Sequence, residues 1–156
     1  MIKVRLQIAD GEILDTADNF GLVYVTADTR FSAPLKDFEK SSYAEQEGEN
    51  INAKTVSDAF DYKVSWLIKA NGSLDNANAV IAEFNALLYE QVDDIKTFKH
   101  VAFYNDYKKI KIVGTPSLIS EATEFWRDKS GKQHDIVVVD WLIRVSKPSL
   151  CDFNLE

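Results

Sequence analysis

Most of this chain alternates apolar and polar residues. Over residues 1–8 the apolar side chains Ile2, Val4, Leu6 and Ile8 take every second place, with Lys3, Arg5 and Gln7 between them. Residues 59–69 repeat the pattern over a longer span. There Phe60, Tyr62, Val64, Trp66 and Ile68 share one side, and Asp61, Lys63, Ser65 and Lys69 share the other, with Leu67 the exception. Successive strand side chains point to opposite faces, so each run predicts a strand with one buried face. Residues 22–25 form a shorter candidate.

Residues 98–113 predict a hairpin. Asn105 and Asp106 lie between Tyr104 and Tyr107, and both turn residues tolerate positive φ. A two-residue loop would pair Phe103 with Lys108, Val101 with Ile110 and Lys99 with Ile112. Val101, Phe103, Ile110 and Ile112 then share the buried face, opposite His100, Lys109 and Lys111. A second hairpin is expected to join residues 122–127 to 135–145 through Asp128-Lys129-Ser130-Gly131. Residues 136–145 are apolar on both faces, which suits a central strand or one whose second face meets another subunit; the central position is preferred.

One segment has helical period instead. Ala77, Val80, Ile81, Phe84, Leu87 and Leu88 recur at three- and four-residue steps, with Asn78, Glu83, Asn85 and Glu90 opposite. Ser73 or Asp75 can cap its start. One helix over about residues 74–90, flanking a mainly antiparallel β sandwich or barrel, makes the class α+β. The length suits a single domain over 1–156.

Residues 31–55 lack any period, although Phe31, Leu35, Phe38, Tyr43 and Ile51 punctuate them. Loops longer than about 12–15 residues are uncommon in compact domains and are usually functional or disordered. The apolar anchors predict an extended arm ordered against something. An irregular loop folded back on its own domain accounts for the same pattern.

Charge sharpens that reading. The whole chain carries −7, and residues 10–52 alone hold ten acids and three bases, so the remainder is neutral. An acidic chain with a pI near 4.9 argues against general nucleic-acid binding. Opposite the acidic stretch stand Lys96, Lys99, Lys108, Lys109 and Lys111. An acidic arm resting on the basic hairpin of the next copy would be a head-to-tail contact, which closes into rings or extends into filaments. The interface candidates are therefore Phe31, Pro34, Phe38, Tyr43, Glu45, Glu47 and Glu49 on the arm, and Lys99, Lys108, Lys109 and Lys111 on the hairpin.

Catalytic chemistry is sparse. His100, His134 and Cys151 form no ligand cluster, so no metal site is expected. No phosphate-cradling glycine loop, dinucleotide fingerprint or nucleophile elbow is present, so neither a cofactor nor a catalytic residue is assigned. Asp140 interrupts an apolar strand, where a structural ion pair with Arg144 or a solvent-facing position is expected. With one cysteine no internal disulfide can form. The alternating N-terminus does not read as a signal peptide, and no apolar run approaches the roughly 18 residues of a membrane span. The chain is expected to be made in a cytoplasm without a membrane partner.

The order of elements carries a resemblance. An opening strand leads to Asp15-Thr16-Ala17-Asp18-Asn19-Phe20-Gly21-Leu22. A long arm follows, with Ala33-Pro34 and Gly48-Glu49-Asn50-Ile51, then a long strand, one helix and paired hairpins. This resembles the N-terminal ring-forming domain of distal tail proteins from long-tailed phages and prophages, a relative of the tail-tube fold. The resemblance spans roughly residues 15–148. It implies a homo-oligomer, a hexameric ring linking tail tube to baseplate, with other tail or baseplate proteins as partners, the virion tail as its location and no catalysis. Larger members carry a C-terminal domain for which a chain ending at Glu156 has no room, so a tube or adaptor role is expected. The alternative is a carbohydrate- or ligand-binding β-sandwich module, for which Trp126 is the exposed candidate. An acid–base enzyme using two carboxylates is a third reading.

Overall fold

The computed structural model describes residues 4–27 and 59–155, together with the backbone of 40–41 and 50–51. Strand β1 (Val4–Ile8) turns into β2 (Ile13–Asp15), and the short helix α1 (Thr16–Phe20) leads to β3 (Val23–Ala27). Two-residue strands β4 (Lys40–Ser41) and β5 (Asn50–Ile51) pair with each other. The long strand β6 (Phe60–Lys69) precedes helix α2 (Leu74–Leu87) and a hairpin of β7 (Tyr89–Val92) and β8 (Ile95–Phe98). Strands β9 (Val101–Asn105), β10 (Ile110–Pro116) and β11 (Ile136–Val145) complete the fold.

Seven strands form one antiparallel sheet in the order β2-β1-β9-β10-β11-β6-β3. The class is α+β, with the sheet dominant. Strand β10 belongs to both halves: residues 110–114 pair with β9, whereas Thr115 and Pro116 pair with β11. That switch folds the sheet back on itself, so Phe103 of β9 meets Trp66 and Tyr62 of β6 at ring separations of 5.9 and 6.1 Å. Helix α2 packs against the same interior through Phe84, whose ring lies 5.5 Å from that of Trp141. The alternation of β6 is realised as expected: Phe60, Tyr62, Val64, Trp66 and Ile68 are all buried.

Three sequence expectations change. The β9–β10 hairpin pairs Asn105 with Ile110 and Phe103 with Ile112, so its loop has four residues, not two. The register moves by an even number of places, which keeps Val101, Phe103, Ile110 and Ile112 on the buried face. The cause is Asn105, whose buried side chain accepts from the backbone N–H groups of Tyr107 and Lys108 at 3.1 and 3.0 Å and winds the loop before Lys109 closes it at φ 57°. Second, α2 ends at Leu87, short of residue 90, because Tyr89 turns into a ladder with Phe98 across a ring contact of 5.8 Å. Third, residues 122–127 form no strand; the expected turn is flanked by a bridge between Arg127 and Gln133 and by backbone hydrogen bonds joining Trp126 to Ile136 and His134, at 2.9 and 3.0 Å.

The helix starts as anticipated, with Ser73 Oγ accepting from the Asp75 N–H. Its polar face is not simply solvated. Asn78 exchanges two hydrogen bonds with the backbone of Ala122, and Asn85 does the same with Ile119, at 2.8–3.1 Å. A carboxamide carries a donor and an acceptor side by side, so each asparagine imitates a strand partner and clamps the 119–122 segment to the helix. Leu87, expected on the buried face, is 44% exposed.

Candidate functional site

Strand β10 changes partner at Gly114, leaving β9 for β11. A Cβ there would sit 2.4 Å from the Arg144 carbonyl oxygen, so only glycine allows the two backbones this approach. The corner and the chain after β11 enclose an open groove of about 530 Å³. Its cationic side chains are Lys111, Arg144 and Lys147, with His100 at one side and Leu150 and Val113 supplying apolar surface. Among its lining residues there is no carboxylate. Arg144 reaches Asp61 at 3.4 Å and His100 stands 3.8 Å from Asp10, both on the rim. Lys111 lies over the Tyr104 ring at 5.5 Å.

Of the four hairpin lysines named from sequence, Lys111 alone lies within β9 or β10. Lys108 and Lys109 occupy the loop, Lys111 enters the groove, and Lys99 sits at the far end, 4.0 Å from Glu90. Asp106, the acid nearest to these lysines in sequence, is engaged by Arg5 through two hydrogen bonds of 2.9 and 2.8 Å. Arg144 and Lys147 were not anticipated; the only sequence signal was their position at the end of a strand that pairs beside β10. The arm candidates Phe31, Pro34, Phe38, Tyr43, Glu45, Glu47 and Glu49 lie outside the described residues.

The polar clusters elsewhere have structural partners. Asp128 accepts from Ser130 Oγ at 2.6 Å, contacts His134 Nε2 at 2.9 Å and accepts from two backbone N–H groups, which holds its carboxyl far below the usual carboxylate range. The serine hydroxyl donates its hydrogen bond to the aspartate, not to the histidine, so the trio closes a turn and does not form a nucleophile–base pair. Asp140 faces solvent and pairs with Lys63 at 3.3 Å and Ser65 at 2.8 Å; Arg144, its expected partner, goes to Asp61. Burial pushes the Cys151 thiol up, against the activation that a nucleophile needs. Among the described residues no group of three His, Cys, Asp or Glu side chains is placed for a metal, and no helix is long and apolar enough to cross a membrane.

Among the described residues the exposed aromatic side chains are Phe98, Tyr107 and Trp126. Trp66 and Trp141 are in the core, and Trp126 is 42% exposed beside the His134 ring. Exposed apolar residues gather instead on the outer sheet face and the β7–β8 hairpin. Strand β11 is central, as preferred from sequence, yet Val138 and Leu142 on its outer face keep 39% and 40% of their surface exposed. Val92 and Ile95 at the hairpin tip are 70% exposed.

Neither a family model nor a curated protein matches this sequence. Among solved structures, the chain aligns with the Dit protein (gp 19.1) of SPP1, described as a paradigm of the hub adsorption apparatus in phages infecting Gram-positive bacteria. The match covers 93% of this chain with a TM-score of 0.56 at 16% identity. The two share a fold. The chain spans 50% of the Dit chain, so the likeness concerns half of that protein.

Proposed function

We propose that this chain is a non-catalytic structural protein of a phage or prophage tail, of the distal-tail or tail-tube kind. The observation that carries the reading is the fold likeness to a phage hub protein along nearly the whole chain. In this reading copies join head to tail in a hexameric ring within the virion tail, contacting other tail or baseplate proteins. Residues 31–55 form the arm, and its acidic side chains Glu45, Glu47 and Glu49 rest on the lysine-bearing β9–β10 face of the next copy.

The exposed apolar surface supports the reading. A central strand normally buries both faces or solvates one with polar residues, whereas β11 offers Val138 and Leu142 to solvent. A subunit contact would remove them from water at roughly 25 cal/mol per Å² of apolar area. The charged contacts would set register and association rate more than affinity. Light scattering after gel filtration, at low salt and rising concentration, tests this. Rings are expected, and a monomer persisting after tail components are added would count against it.

A further inference from the structure

The groove at the β10 corner gathers three permanent cations on a chain whose net charge is −7. Like charges brought together cost free energy unless a counter-charge answers them. Arg144 has Asp61 at 3.4 Å, whereas Lys111 and Lys147 have no carboxylate within ion-pair distance among the described residues. The groove also has an apolar part: Leu150 is 56% exposed and Val113 is half-buried. Cations flanking an apolar surface suit an acidic peptide that carries one aromatic anchor.

The connection between β4 and β5 is such a segment. Residues 43–49 read Tyr-Ala-Glu-Gln-Glu-Gly-Glu, with carboxylates at every second position and no base. These residues belong to the connection between β4 and β5, whose ends Ser41 and Asn50 pair, so three carboxylates and Tyr43 fall within one connection of eight residues. We propose that the groove lined by Lys111, Arg144 and Lys147 is the seat for residues 43–49 of a second copy. This rests on the head-to-tail reading and moves its basic partner. The seat is the corner of β10, not the β9–β10 loop that holds Lys108 and Lys109.

The choice of a second copy over the chain's own segment is what the decisive mixing experiment addresses. A groove variant, K111E/K147E, keeps its acidic segment; a segment variant, E45Q/E47Q/E49Q, keeps its groove and carries no charge that the altered groove could attract. Each alone cannot form the contact. Mixed, they have one intact groove and one intact segment, so light scattering should show a pair that neither variant forms alone and that does not grow further. No pairing in the mixture would overturn the proposal of a contact between copies.

A second measurement separates this from the ring reading. A fluorescent peptide of residues 42–52 is titrated by anisotropy onto the intact E45Q/E47Q/E49Q protein, whose own segment no longer competes by charge. Binding should weaken at least about tenfold with K111E/K147E in the same chain, and should weaken with salt. The K108E/K109E pair should leave it unchanged. Equal binding by all variants would overturn the groove even if rings form, and specific binding would support the groove even if they do not. Unaltered thermal melts of the variants exclude unfolding as the cause, since Lys111 and Lys147 lie at the surface.

Discussion

Replacing Gly114 with alanine should damage this fold more than a single added methyl suggests. The new Cβ would lie 2.4 Å from the Arg144 carbonyl oxygen, 2.8 Å from Ile143 Cγ2 and 2.9 Å from the Arg144 carbonyl carbon. Two of these neighbours are backbone of the central strand β11, which pairs along its full length with β6 and cannot move alone. Relief requires β10 and β11 to part by several tenths of an ångström at the point where the sheet changes halves. Overpacking a well-filled site costs about 1–3 kcal/mol, and rigid neighbours place this case near the top of that range. For a chain of this size, each 1 kcal/mol lowers the melting temperature by roughly 2–4 °C, so Gly114→Ala should lose about 6–12 °C. Urea unfolding and thermal melts followed by circular dichroism measure it. Thr115→Ala, one residue on and exposed, is the control and should stay within about 0.5 kcal/mol of the parent. A Gly114→Ala protein as stable as the control would refute the corner argument.

Two further perturbations probe other parts of the account. Asn105→Ala removes the acceptor of two backbone N–H groups and the donor to Tyr24 Oη, and should cost about 2 kcal/mol in urea unfolding. Asp128→Asn tests the turn at residues 128–134. The folded carboxyl is held far below its ordinary value, so its contribution is fully present above the unfolded value of about 4 and fades as pH falls further. The stability gap between parent and Asp128→Asn should therefore narrow from pH 5 to pH 3; a gap that widens over that window contradicts the assigned network.

Much of the sheet was legible because burial selects one face of each strand. Phe60, Tyr62, Val64, Trp66 and Ile68 announce β6, and the apolar run at 136–145 announces a central β11. Register was less visible. The buried face of the β9–β10 hairpin survives an even shift, so alternation alone could not decide between a two-residue and a four-residue loop. Asn105 decided it, by turning its side chain into the loop's backbone. The β7–β8 hairpin left no alternation to read, since none of its residues is buried. Its signal was pairwise instead: Tyr89 faces Phe98 and Val92 faces Ile95 across an Asp93-Asp94 turn. The clamps made by Asn78 and Asn85 were not visible in the sequence, because a polar residue gives no sign of which backbone it will meet.

The candidate site was legible only in its charge sign. Counting charges pointed to a basic counterpart for the acidic stretch and found Lys111. It missed Arg144 and Lys147, which come from the far end of the chain and reach the corner only because β11 pairs beside β10. Sequence proximity favoured Lys108 and Lys109 in the loop; sheet topology favours the corner.

The central claim is that copies of this chain assemble with one another into a tail ring. Electron microscopy of the purified protein, over a concentration series at low salt with and without tail components, tests it most directly. Closed rings of uniform diameter that lose population in E45K/E47K/E49K are the expected result. Monomers at every concentration and with every tail component, or rings indifferent to that charge reversal, would contradict the account.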